Sequence, residues 1–181
     1  MTDIDEHGRP EPPLAEDEVA TLRGFLEYQR ATFAWKRRGL DAAGLATSVA
    51  SSSMTLGGMM KHLALVEESW SSEQLMDRES MPPWNGVEWT SDPDREWRTA
   101  RDDTPEQLAE LWRESVQEAN AAFDEALRAR GLDQLERRKW PDGRAPSPRG
   151  ILCHMIEEYA RQRPRRPDPR GGRRPNRRIA G

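Results

Sequence analysis

Four residues could do chemistry together: His154, Glu158 and Gln162 near the end of the chain, and His62 in its first half. His154, Glu158 and Gln162 stand at i, i+4 and i+8, which sets them on one face of a helix. A helix that turns His and Glu inward at this spacing can supply two or three ligands to a metal in a bundle core. Gln162 breaks the set, because a neutral amide is a poor ligand for a divalent transition metal. Cys153 adjoins His154 but is turned by about 100° from it on a helix. Its expected state is a buried, inert thiol. Taken alone, His62 reads as a helix histidine in a satisfied polar contact.

The elements that must position these residues are helices. Around the His154 face, Ile151, Leu152, Met155, Ile156 and Tyr159 recur at helical spacing, with Ser147 as N-cap, Pro148 at the first helical position and Pro164 as terminator. A first helix is expected from near Glu16, with Val19, Leu22, Phe25, Leu26 and Phe33 as its stripe and Gly39 at its stop. Gly44 to Ser53 reads as a loop. A second helix starts near Met54, capped by Ser53 or Thr55, and carries Leu56, Met59, Leu63, Val66 and Trp70 with His62 beside them. Gly57 and Gly58 each cost it about 1 kcal/mol of propensity relative to Ala and would permit a close neighbour. A third helix opens with the capping box Thr104-Pro105-Glu106-Gln107 and ends at Gly131.

Between the second and third helices, Asp77 to Asp103 is a long connection containing Trp84, Trp89 and Trp97. Disordered segments are poor in aromatics, so this one is expected to pack on the domain. The sum is an all-α four-helix bundle with a long crossover between helices 2 and 3. Residues 1–15 read as a flexible N-terminal arm, 16–163 as the bundle, and 164–181 as a disordered Arg/Pro/Gly tail.

Charge is divided unevenly. The chain has a net charge of −4. From Arg161 onward nine Arg and one Asp give +8, which leaves −12 on the rest. A basic tail on an acidic body could be a nucleic-acid arm; that partner is not expected here, for a reason given below. No apolar run is long enough to span a membrane and no signal peptide is visible. One cysteine cannot pair internally, so a reducing, cytoplasmic setting is expected.

Several segments resemble an actinobacterial branch of the DinB-like superfamily, some of whose members are known as domains of unknown function or mini-circle proteins. They are Asp17-Glu-Val-Ala-Thr-Leu22 to Gln29-Arg-Ala-Thr32, Ser53-Met-Thr-Leu-Gly-Gly-Met-Met-Lys-His62-Leu-Ala-Leu-Val-Glu67, Trp84 to Trp97, Thr104-Pro-Glu-Gln-Leu108, and Ile151-Leu-Cys-His-Met-Ile-Glu-Glu-Tyr-Ala-Arg161. The likeness covers roughly Glu16 to Arg161. It implies an up-down-down-up bundle related to thiol transferases and to mycothiol-dependent maleylpyruvate isomerase. It implies a divalent metal, zinc or nickel, held by His62, Glu158 and the residue at 162, with His154 beside them. The implied cofactor is a low-molecular-weight thiol, the partner a small-molecule substrate, and the assembly in many relatives a homodimer. The expected function is a metal-dependent mycothiol-type transferase whose site is impaired by Gln162. The alternative is a non-enzymatic small-molecule-binding or protein-interaction bundle.

Departures from the family pattern cluster at the last helix. Pro148-Arg149-Gly150 stands where Leu-Arg-Trp is expected, which predicts weak packing at the helix start. After Arg161 the family continues His-Asn-Gly-His-Ala-Asp-Leu, whereas this chain has Gln162-Arg-Pro-Arg-Arg-Pro-Asp-Pro-Arg170. Those nine residues can be encoded CAA CGG CCA CGC CGA CCT GAT CCG CGA. Read one nucleotide on, the same string gives Asn-Gly-His-Ala-Asp-Leu-Ile-Arg. The tail therefore reads as the product of a frame slip near codon 162, by mutation or sequencing error. A GC-rich gene read out of frame yields Arg, Pro and Gly, which accounts for the basic tail without a nucleic-acid role.

Overall fold

The computed structural model describes residues 3–47, 54–136 and 138–161. Among them the structure is all-α, without a strand beyond a single bridge between Ile4 and Pro10. Four long helices carry it: α1 (Glu18–Arg37), α3 (Leu56–Glu68), α5 (Pro105–Arg130) and α6 (Pro148–Arg161). Two short ones, α2 (Ala42–Leu45) and α4 (Arg95–Thr99), lie in the connections. The expected loop at Gly44 is thus in part helical, because Asp41 caps α2 by accepting from Gly44 N.

Helix starts follow the side chains that cap them. Asp17 accepts from Ala20 N, Thr55 from Gly58 N, and Thr104 and Gln107 form the reciprocal box that opens α5. Gly39 and Gly131, at φ of 75° and 71°, follow α1 and α5 in a backbone region that L side chains rarely adopt. The start of α6 is anchored rather than weak. Pro148 is fully buried, Arg149 N donates to Leu132 O at 3.1 Å, and the Arg149 guanidinium pairs with Glu18 and Asp133.

Pairs of contacts set the helix directions. Glu18 meets Arg149 and Phe33 meets Tyr159, so α1 and α6 run the same way. Arg23 pairs with Asp124 and Arg30 with Asn120, so α5 runs against α1. Leu108 packs on Gly57 and Arg130 reaches Leu75 O, so α3 and α5 run together. The core between them includes Leu26, Phe33, Met59, Met60, Leu63, Trp112, Phe123, Ile151, Leu152 and Met155.

Helix α3 does not stop at Glu68 but continues as a π-helical segment, Ser69–Leu75. Ser71 Oγ bonds back to Glu67 O at 2.6 Å, and Met76 N reaches Ser71 O five residues earlier. A hydroxyl competing for the turn's carbonyls loosens the regular ladder, and the wider turn changes the direction in which Trp70 projects. The crossover is packed on the domain: Trp84 is buried, and Trp89 and Trp97 lie against the core.

Residues 3–15 are held on α1. Arg9 pairs with Asp5, donates to Thr32 Oγ1 at 2.9 Å and lies over the Tyr28 ring, while His7 stacks on Trp35 at 4.2 Å. Burial by itself would raise the Asp5 carboxyl; hydrogen bonds and charge from Arg9 outweigh it and hold the group at about 2. Gly24 admits Pro13 so closely that a Cβ there would lie 2.4 Å from Pro13 Cδ.

Candidate functional site

His62 on α3 and Glu158 on α6 face each other, with His62 Nε2 3.8 Å from Glu158 Oε2. His154, one turn before Glu158, has Nε2 3.6 Å from Glu158 Oε1. The structure therefore brings three of the four sequence-marked residues to one place. The fourth, Gln162, lies outside the described residues, as does the whole tail to Gly181.

A residue the sequence did not mark completes the group. Glu96, in the five-residue α4 of the crossover, accepts from His62 Nδ1 at 3.1 Å. With Nδ1 so engaged, Nε2 is the ring nitrogen turned toward the Glu158 carboxylate. The 3.8 Å between that nitrogen and the carboxylate is longer than a hydrogen bond. Glu96 is 4 % exposed, and its Oε2 has no hydrogen-bond partner among the described residues.

Aromatic rings wall this face. Trp97 stacks on His62 at 4.8 Å and 24°, and Trp70 lies against His154 at 4.2 Å. Gly58 makes room for Trp97, since a Cβ there would fall 2.8 Å from the ring. Close packing is thus what the Gly57-Gly58 pair permits, against Leu108 and Leu45 at one residue and Trp97 at the next.

Donor chemistry in the group suits a divalent metal at two positions: a neutral imidazole nitrogen and a carboxylate. A carboxylate on the second ring nitrogen, as Glu96 provides, is the usual support of a metal-binding histidine. Among the described residues no three His, Cys, Asp or Glu side chains are grouped so as to hold an ion. Cys153 cannot join them. Contrary to expectation it is exposed, because Leu152 takes the buried position and the next residue turns outward.

Below the site runs a buried polar network that no periodicity announced. Arg30 on α1 grips Glu67 on α3 through two bonds, with Nε to Oε1 at 2.7 Å, and also reaches Asn120 on α5. Tyr159 on α6 donates to Glu67 Oε1 at 2.6 Å and accepts from Trp112 Nε1 at 2.7 Å. Burial, reinforced by the Glu67 charge, pushes the Tyr159 phenol well above its ordinary value. Tyr159 thus fixes α6 one residue after Glu158, and Glu67 fixes α3 five residues after His62. The helices that carry His62 and Glu158 are thus tied to one buried carboxylate.

No helix among the described residues is long and apolar enough to cross a membrane. The family model for mycothiol-S-transferase matches residues 21–163. No curated protein matches the chain.

Proposed function

The chain belongs to the mycothiol-S-transferase family, within the DinB-like superfamily, and from that membership we propose that it moves the sulfur of a mycothiol-type thiol onto a small electrophile at the His62–Glu158 pair. The carrying observation is the opposed pair itself: His62 Nε2 faces Glu158 while Glu96 holds Nδ1. In such a transfer the thiol loses its proton, sulfur forms a bond to an electrophilic carbon, and the leaving group departs with the electron pair. His62 Nε2 and Glu158 are the groups on this face that can take that proton. Glu96 fixes the imidazole plane, and Trp97 and Trp70 narrow access for water. His62 and Glu158 would hold a divalent metal, zinc or nickel, which supplies positive charge that lowers the thiol's pKa.

Three protein ligands are the usual complement of such a site, and Gln162 offers only an amide at the third position. Activity is therefore expected to be weak in this chain and stronger in Gln162→His. The family match ends at residue 163, beside the point where the reading frame is inferred to slip. Resequencing codons 158 to 181 from the source DNA tests that inference: an added dinucleotide restoring His-Asn-Gly-His supports it, and the present frame overturns it. Conjugation of mycothiol to a model electrophile, followed in this chain, in Gln162→His and in Gln162→His with His62→Ala, tests the function. The expected order is low, high, low. Equal turnover with and without His62 would remove the pair from the reaction.

A second reading has an observation behind it. An imidazolium between Glu96 and Glu158 would clamp α3, α4 and α6 together without any metal, and among the described residues no three His, Cys, Asp or Glu side chains are grouped so as to hold an ion. Under that reading, His62→Ala lowers stability and leaves zinc affinity as it was.

A further inference from the structure

Two consecutive residues of the five-residue α4 meet the His62 ring from outside its own helix. Glu96 takes the ring edge at Nδ1, 3.1 Å away. Trp97 takes the ring face, with centroids 4.8 Å apart and planes 24° from parallel. Successive residues of a helix diverge by about 100°, so one short helix can reach both an edge and a face of the same ring. The two contacts restrain different motions. A bond at Nδ1 holds one nitrogen, but histidine χ2 is a broad torsion without sharp wells of its own. An indole stacked on the face opposes rocking of the plane. The separation lies in the range of about 4.5–7 Å that aromatic pairs favour.

Gly58, one turn before His62 on α3, sets where that indole lies. Its φ is not positive, so the backbone there does not require glycine, and glycine costs helix propensity. The indole is what requires it. A Cβ at this position would stand 2.8 Å from Trp97 Cε3, with Thr55 Oγ1 at 3.2 Å and Trp97 Cζ3 at 3.4 Å. Any side chain at 58 therefore displaces the ring. We propose that Trp97 is a positioning residue: its indole, seated on Gly58, holds the plane of the His62 imidazole and keeps Nε2 toward Glu158. The proposal rests on the reading of His62 and Glu158 as the reacting pair. It makes α4, rather than the helix that carries His62, the element that aims the ring. Because Glu96 and Trp97 share α4, both restraints are made or lost together.

The test uses the full chain. The His62 Cδ2–H and Cε1–H resonances, assigned by their loss in His62→Asn, are followed at alkaline pH for shift and for order by relaxation. In the parent they are expected upfield, through the ring current of the indole, and rigid. Trp97→Leu should move them downfield and lower their order, Gly58→Ala should do so in part, and Trp97→Phe should recover most of the loss. The His7 and His154 signals, whose rings lie on Trp35 and Trp70, should stay in place, which separates a local effect from general loosening. In the Gln162→His background, Trp97→Leu should weaken zinc about two- to tenfold, the span of one aromatic pair. Unchanged order at His62, with only Tm lowered, overturns the proposal. So does a freed ring with unchanged zinc affinity. If zinc binds neither background, the metal reading fails and the order of the His62 ring alone decides the role of Trp97. Should Trp97→Leu fail to fold, Trp97→Phe and Gly58→Ala decide; Ala is the better helix former, so a loss of order at His62 in that variant comes from the displaced indole.

Discussion

His62 lies between two carboxylates, one beside each of its ring nitrogens. Glu96 takes Nδ1 at 3.1 Å and leaves Nε2 to face Glu158. Losing such a supporting carboxylate commonly lowers metal affinity about 10–100-fold. Glu96→Gln, measured by competition against a zinc indicator in the Gln162→His background, should fall in that range; an unchanged affinity would mean that Glu96 does not orient the ring. In the same assay Gln162→His should bind zinc or nickel more tightly than the present chain, because imidazole replaces an amide. Sequence spacing marked His154 and Glu158 through their helical register. It could not mark Glu96, which lies 34 residues from His62 on a segment whose fold only packing decides.

At the scale of elements, capping and the buried pair make separate contributions. Thr104→Ala removes the oxygen that accepts from Gln107 N at the start of α5 and should cost about 1 kcal/mol in urea unfolding. A loss near zero would mean that the Gln107 half of the box suffices. The Arg30–Glu67 pair joins α1 to α3 beneath the site, with Tyr159 of α6 on the same carboxylate. Arg30→Met strands Glu67, which is fully buried, and should cost about 3–5 kcal/mol. Adding Glu67→Leu should recover part of that loss, because an apolar pair leaves no charge behind. If the double variant is less stable than the single one, a stranded Glu67 charge is not the source of the single variant's loss.

For the whole molecule, stability should depend on pH through carboxylates buried on the bundle. Burial pushes Glu68 up; the Met81 N–H pulls the other way, and the charges of Glu73 and Glu118 add to the rise. Burial likewise raises Glu136, against the pull of Arg130. A carboxyl with a raised folded-state pKa binds its proton more readily folded than unfolded. It therefore costs stability above the folded pKa, and that cost fades as pH falls toward the ordinary glutamate value of about 4.3. Glu68→Gln should show a flatter stability profile than the parent between about pH 5 and 8. The difference in Tm between the two should move in the variant's favour as pH rises. A constant difference would show that the Glu68 charge is not what burial opposes.

Read alone, the chain determined its helices and much of their ends, because caps and stops are local. Asp17, the Thr104 box, Gly131 and Ser147 act on backbone groups within a few residues of themselves. It also determined that His154 and Glu158 share one face of α6, since i, i+4 spacing is a property of one helix. Tertiary structure alone decided the rest. It put Glu96 on His62, joined Arg30 to Glu67, Tyr159 and Trp112, and turned Cys153 outward. The π-helical stretch after Glu68 carries Trp70 against His154. These depend on which side chains meet across helices far apart in the chain, and a hydrophobic period records only that a face is buried, not what it is buried against.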